Sequence, residues 1–207
     1  MGTVFEELIR RFNEENNEEA GEHFTPRDVV RLMANLIFFP VADQIESTTY
    51  LVFDGACGTG GMLTVAEDTL LDLAKKRGKD VSIHLYGQEV NPEIYSITRA
   101  DLLLKGQGEE AENMKFGSTL SNDGFPAGAF DFMLSNPPYG KSWKMDLDRM
   151  CSGDKKEMRD SRFIVNHSDD PAFSLVTRSS DGQMMFLANM VSKMKPVTPK
   201  SPMGSRI

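Results

Sequence analysis

The residues with the clearest chemical potential are Asn136-Pro137-Pro138-Tyr139, which close the apolar run Phe130-Asp131-Phe132-Met133-Leu134-Ser135. A short run of this kind has the pattern of a buried strand. The prolines end it and remove two backbone N–H donors while leaving their carbonyls. What remains at the strand tip is mostly acceptor. The Asn136 side-chain oxygen and the Pro137 carbonyl suit an NH2 group, which offers two hydrogens, while Tyr139 suits the face of the ring that carries it. That is a site for an exocyclic amine on a flat base. An ordinary Asn-Pro turn after a strand has the same sequence, so the tetrapeptide alone leaves both readings open.

A second set lies upstream. The apolar run Tyr50-Leu51-Val52-Phe53 reads as a strand and passes directly into Asp54-Gly55-Ala56-Cys57-Gly58-Thr59-Gly60-Gly61. A helix follows, with Met62, Leu63, Ala66, Leu70 and Leu73 on one face. Strand, glycine turn and helix is the nucleotide-cradling arrangement of doubly wound α/β folds. Gly58, Gly60 and Gly61 let a ligand approach backbone, and the helix N-terminus aims free N–H groups at it; a tight turn and nothing more is the plainer alternative. Asp54 narrows the choice of ligand. A carboxylate there would repel a pyrophosphate by about 1 kcal/mol at 4 Å in water, and by more in a partly buried cleft. The spacing also departs from Gly-x-Gly-x-x-Gly, so NAD fits poorly and a nucleoside carrying a cationic amino acid fits better. Glu89 ends the next predicted strand, Val81 to Glu89, where an acid can accept both ribose hydroxyls. A solvated glutamate is the competing reading. Ser118-Thr119-Leu120 follows a short third strand, Asn113 to Gly117, where a loop could cover the adenine of a cofactor.

The elements that must position these groups are legible as alternating strands and helices. Thr25 and Pro26 read as the N-cap and first position of a helix with Val29, Val30, Leu32, Met33, Leu36 and Ile37 apolar. Asn91-Pro92 opens another, with Ile94, Ile97, Ala100, Leu103 and Leu104, stopping at Gly106. Val4 to Phe12 reads as an amphipathic helix ahead of a polar linker, which predicts an N-terminal unit at 1–20 and a core at 21–207. Residues 141–181 show no sustained periodicity and read as a mobile target-side loop, with Trp143, Phe163 and Phe173 as candidate anchors. Gly182 to Met194 is a helix whose Met184, Phe186, Leu187, Met190, Val191 and Met194 read as core.

Composition sets outer limits. With 207 residues and 40% hydrophobic content the chain can bury one core. A formal charge of −8 argues against gripping nucleic acid unaided, because phosphate neutralisation supplies most non-specific affinity. Two cysteines and three scattered histidines give neither a disulfide framework nor a zinc spacing, so no metal is expected. A cytoplasmic location is expected, and no membrane association.

In their order along the chain, Asp54 to Gly61, Glu89 and Asn136 to Tyr139 resemble the S-adenosylmethionine-dependent methyltransferases that act on adenine N6. Gly21 to Pro26, Tyr86-Gly87-Gln88-Glu89-Val90-Asn91-Pro92 and Asp160-Ser161-Arg162-Phe163 make the sequence similar, more closely, to the modification subunit of type I restriction-modification systems. The resemblance implies a doubly wound, Rossmann-like sheet with helices on both faces. It further implies that Phe24, Thr25 and Pro26 line the methionine end of S-adenosylmethionine. Asp54, Ala56, Gly58, Thr59, Gly60 and Gly61 would form the main cradle, Glu89 would hold the ribose, and Asn136, Pro137 and Tyr139 would form the adenine site. Ser118 stands where many relatives carry an acid, which leaves its contact with the cofactor adenine open. Such subunits are longer at both ends, so the sheet is expected to lack its last strands, leaving an edge and apolar surface prone to self-association. DNA is expected to be held through a specificity subunit, with a restriction subunit as further partner. The same Asn-Pro-Pro-Tyr would also serve a protein-glutamine N5 methyltransferase, and a cofactor-binding scaffold without activity is a third reading.

Overall fold

A computed structural model of the chain describes residues 25–152, 157–167, 172–199 and 202–207. The expected N-terminal helix at Val4 to Phe12, its linker and Phe24 lie outside the described residues. Four parallel strands make the central sheet: β1 (Thr49–Asp54), β2 (Ser82–Glu89), β3 (Met114–Phe116) and β4 (Phe132–Met133), in the order β3-β2-β1-β4. Strands β1 and β4 are apolar over residues 50–53 and 132–133, as burial on both faces of a parallel sheet requires, whereas β2 alternates buried and partly exposed residues and edge strand β3 exposes Lys115 and Phe116. Among the described residues the fold is therefore α/β, with a sheet short of the full doubly wound set.

Helix α1 (Arg27–Phe38) buries Val30, Ala34, Ile37 and Phe38. Helix α2 (Gly61–Lys76) starts after Gly60, whose φ of 77° suits glycine, and buries Met62, Leu63, Ala66, Leu70, Leu73 and Ala74. Helix α3 (Pro92–Leu104) is capped by Asn91, whose Oδ1 accepts from the Glu93 and Ile94 amides. A short α4 (Gly108–Glu112), absent from the sequence reading, leads into β3. These elements share one core with the sheet, including Val52, Leu85, Met114 and Phe132. On a second cluster, Phe53 stacks on Phe130 at 4.6 Å between ring centroids, beside Met133 and Met190.

Three expectations need correction. Residues 141–181 do not lack regular structure: they contain α5 (Lys144–Met150), a β5–β6 ladder (Cys151–Ser152 with Glu157–Met158), a 3-10 turn (Ser161–Phe163) and a β7–β8 ladder (Ile164–Val165 with Phe173–Ser174). Trp143 and Phe163 pack with Leu120 and Met185 into a third apolar cluster, so they are anchors, whereas Phe173 is exposed. The elements are too short for periodicity to show.

Helix α6 (Gly182–Ser192) buries Met185, Asn189 and Met190, while Met184, Leu187, Val191 and the following Met194 are exposed. An almost uniformly apolar helix carries no period from which to pick its buried face. Thr25, finally, is not the helix cap: Pro26 occupies that position and makes no side-chain capping bond.

The β4 edge is bonded in part by the last residues of the chain. Single parallel bridges join Phe130 to Met194 and Phe132 to Arg206, with the Met133 amide donating to the Arg206 carbonyl. Lys195 reinforces this by contacting both oxygens of Asp131 at 2.7 Å, while Asp131 Oδ2 accepts from the Leu51 amide.

Candidate active site

Strand order places the chemistry. From β1 the chain moves outward through β2 to β3 and then returns to β4 on the other side, so the order reverses between β1 and β4. Crevices at such reversals, beyond the carboxyl ends of strands, are where α/β sheets bind ligands. Residues following β1 and β4 are pinned together there: the Leu134 amide donates to the Phe53 carbonyl at 3.1 Å and the Ser135 hydroxyl to Asp54 Oδ1 at 2.8 Å. A cleft of about 330 Å³ opens at this point.

Asp54, Ala56, Gly58, Thr59, Gly61, Glu89, Ser118, Asn136 and Thr25 all line it. Of the other expected residues, Pro26 and Gly60 shape the backbone beside the cleft without lining it, Pro137 is buried, and Tyr139 is 68% exposed outside the lining. Phe24 lies outside the described residues.

Each acid is fixed by backbone. Asp54 Oδ1 accepts from the Ala56 amide at 2.9 Å. Complete burial pushes the Asp54 carboxyl up to about 7; the Ala56 and Ser135 hydrogen bonds oppose this and the nearby Glu89 charge adds to it. Burial likewise pushes the Cys57 thiol well above its ordinary range, with Asp54 and Glu89 adding to it. Glu89 bridges two elements: Oε2 accepts from the Gly58 amide at 3.0 Å and Oε1 from the Asn91 amide at 2.7 Å. Thr98 on α3 donates to the Gly58 carbonyl at 2.6 Å, so the glycine turn is held from β2 and α3 at once. Two carboxylates at neighbouring strand tips favour a cation and hydroxyl donors over a phosphate.

Asn136 meets Thr25 across the cleft, its Nδ2 donating to the threonine hydroxyl at 3.1 Å. With the amide nitrogen engaged, Oδ1 is left to serve as an acceptor. Several contributors to the cleft are not legible in the sequence as site residues. Fully buried Gln88 donates to the Gly117 and Asn122 carbonyls and accepts from the Gly124 amide, fixing the loop after β3. Its signal in the sequence is its place beside Glu89 at the end of the strand, within the motif at residues 86–92. Trp143, Leu120 and Phe186 supply apolar wall, and Arg27, Lys141 and Asp146 supply charge.

Away from the cleft, His84, Glu109 and Glu110 bring ligand-type atoms within 4.8 Å of one another, with His84 Nδ1 and Glu110 Oε1 in contact at 3.2 Å.

Comparison with known proteins decides the family. A family model described as N-6 DNA Methylase matches residues 1–198. The chain belongs to the N-6 DNA methylase family. Among curated relatives, the Type I restriction enzyme MjaVII methylase subunit of Methanocaldococcus jannaschii is 31% identical over 80% of this chain and 26% of its own length. The MjaIX methylase subunit of the same organism is 27% identical over 75% of this chain and 26% of its own length. The chain thus spans about a quarter of the length of these curated relatives. Among solved structures, the type I restriction-modification methyltransferase subunit of Streptococcus thermophilus superposes with a TM-score of 0.57 at 24% identity, covering 82% of this chain and 31% of that one. That likeness supports the fold. The family match favours the DNA-directed reading over the protein-glutamine alternative. Among the described residues no helix is long and apolar enough to cross a membrane.

Proposed function

We propose that this N-6 DNA methylase chain carries the cofactor cleft and the adenine site of an enzyme that methylates adenine N6 in DNA, with S-adenosylmethionine as methyl donor. The observation that carries the reading is the meeting of Asp54, Glu89 and Asn136 in one cleft, with the Asn136 nitrogen already engaged by Thr25. The residues present fit the cofactor. Backbone at Gly58 and Gly60 has positive φ, Asp54 suits an α-ammonium, and the free lone pairs of Glu89 suit ribose hydroxyls. When bound, S-adenosylmethionine supplies an electrophilic methyl group on a sulfonium.

Everything else falls to the chain. The adenine amine is a weak nucleophile because its lone pair is delocalised into the ring. Asn136 Oδ1 and the Pro137 carbonyl accept its two hydrogens and draw it toward the pyramidal geometry of the transition state, which is preorganised electrostatics rather than strong-base catalysis. Tyr139, exposed three residues beyond Asn136, offers a ring for a base turned out of the duplex, worth roughly 1–3 kcal/mol by stacking. The type I relatives support a role as modification subunit, with a separate specificity subunit choosing the DNA sequence and a restriction subunit completing the assembly. Calorimetric titration of the purified chain with S-adenosylmethionine tests the first half of this reading: saturable 1:1 binding that Glu89→Ala weakens is expected, and no heat at millimolar ligand would refute it.

A further inference from the structure

Arg162 stands in the segment 141–181, where an exposed arginine would invite assignment to a DNA phosphate. Its surroundings say otherwise. The side chain is 12% exposed, and all five of its N–H donors are used within the protein. Nε bonds the Asp160 carboxylate at 3.0 Å; Nη1 donates to the Thr119 carbonyl and to Asn189 Oδ1, both at 2.8 Å; Nη2 donates to the Leu120 carbonyl and Asp160 Oδ2, both at 2.6 Å. The guanidinium also lies 4.8 Å from the Phe163 ring centroid. Two of these acceptors are backbone carbonyls of the loop that lines the cleft after β3.

That loop touches the glycine turn directly. Buried Thr119 donates its hydroxyl to the Gly55 carbonyl, one residue beyond Asp54. Contact there is close enough that a Cβ on Gly55 would meet Thr119 Cγ2 at 3.1 Å. We propose that Arg162 is a positioning residue for the cofactor cleft, acting through Thr119 to hold the Ser118–Leu120 wall against the Asp54–Gly58 turn; this rests on the S-adenosylmethionine reading above. A lysine keeps the charge but has three donors on one atom and cannot span carbonyls on one side and a carboxylate on the other. The arginine is thus spent on cofactor affinity, not on DNA.

The test is a double-mutant cycle on S-adenosylmethionine affinity, read by calorimetry with the melting transition of each protein measured alongside. Arg162→Lys and Thr119→Val should each weaken binding on the order of tenfold, and the double variant should be little worse than either, because both break one relay. Retention of wild-type affinity by both single variants would overturn the proposal, as would additive losses. So would an Arg162→Lys protein that binds cofactor normally but binds DNA more weakly. Should Arg162→Lys fail to fold, Thr119→Val decides alone, tenfold weakening supporting the relay and wild-type affinity refuting it. A wild-type chain that binds no S-adenosylmethionine would sink the cofactor reading and this inference with it.

Discussion

Burial holds the Asp54 carboxyl neutral up to about pH 7, and an arriving ammonium would reverse that preference. In the ligand-free protein the raised value means that folding favours the protonated form. This contribution to stability is fully present below pH ~4 and is lost as pH rises through about 7. Asp54→Asn keeps an acceptor for the Ala56 amide and the Ser135 hydroxyl while removing the charge. It should therefore raise the apo melting temperature at pH 8 and change it little at pH 4, by thermal denaturation. For the ligand the sign is opposite. S-adenosylmethionine affinity should fall as pH drops below about 7, by up to about tenfold per unit, with the slope abolished in Asp54→Asn. A wild-type affinity independent of pH between 5.5 and 8 would remove Asp54 from the ammonium site. Glu89→Ala should cost on the order of 1.5–3 kcal/mol of binding, the range for hydrogen bonds to a charged group. At the adenine site, Tyr139→Phe keeps the ring and should retain activity, whereas Tyr139→Ala should not.

At the scale of elements, the close contact between β2 and its neighbours is exposed to test at Gly87, where an added Cβ would meet Met114 Sδ at 2.6 Å and Cys57 Sγ at 2.9 Å. Gly87→Ala should destabilise by about 1–3 kcal/mol through overpacking, measured by urea unfolding, and should loosen the turn that Cys57 opens. How far the elements were legible depended on length. The runs before Asp54 and Glu89 and the helices after Gly60 and Asn91 carry enough periodic residues to announce themselves, and their junctions hold the cofactor-side acids. Residues 141–181 were opaque because two-residue ladders and a seven-residue helix cannot display a period. Thr25 misled for a different reason: a threonine before proline looks like a cap whether its hydroxyl bonds the helix or, as here, receives Asn136. The role of Arg162 is not legible in the sequence: Asp160 lies two positions away, but the Thr119 and Leu120 carbonyls and Asn189, which tie it to the cleft wall, lie 27–43 positions away along the chain.

Across the whole molecule, a net charge of −8 leaves little electrostatic means of holding a duplex, so sequence-specific DNA binding should depend on another subunit. The purified chain by itself should incorporate no methyl into DNA while still binding cofactor. Met184, Leu187, Val191 and Met194 form an exposed apolar face on and beside α6, and sedimentation should show concentration-dependent association that Leu187→Glu with Val191→Glu suppresses. The central claim is that Asn136 presents the target amine to a methyl donor held by Asp54 and Glu89. Its most direct test is mass spectrometry of nucleosides from DNA incubated with S-adenosylmethionine and the chain assembled with a specificity subunit. N6-methyladenine should form with the wild-type chain and be lost in Asn136→Ala, although that variant binds cofactor normally. Wild-type turnover by Asn136→Ala, or methyl found on any atom other than adenine N6, would contradict the account.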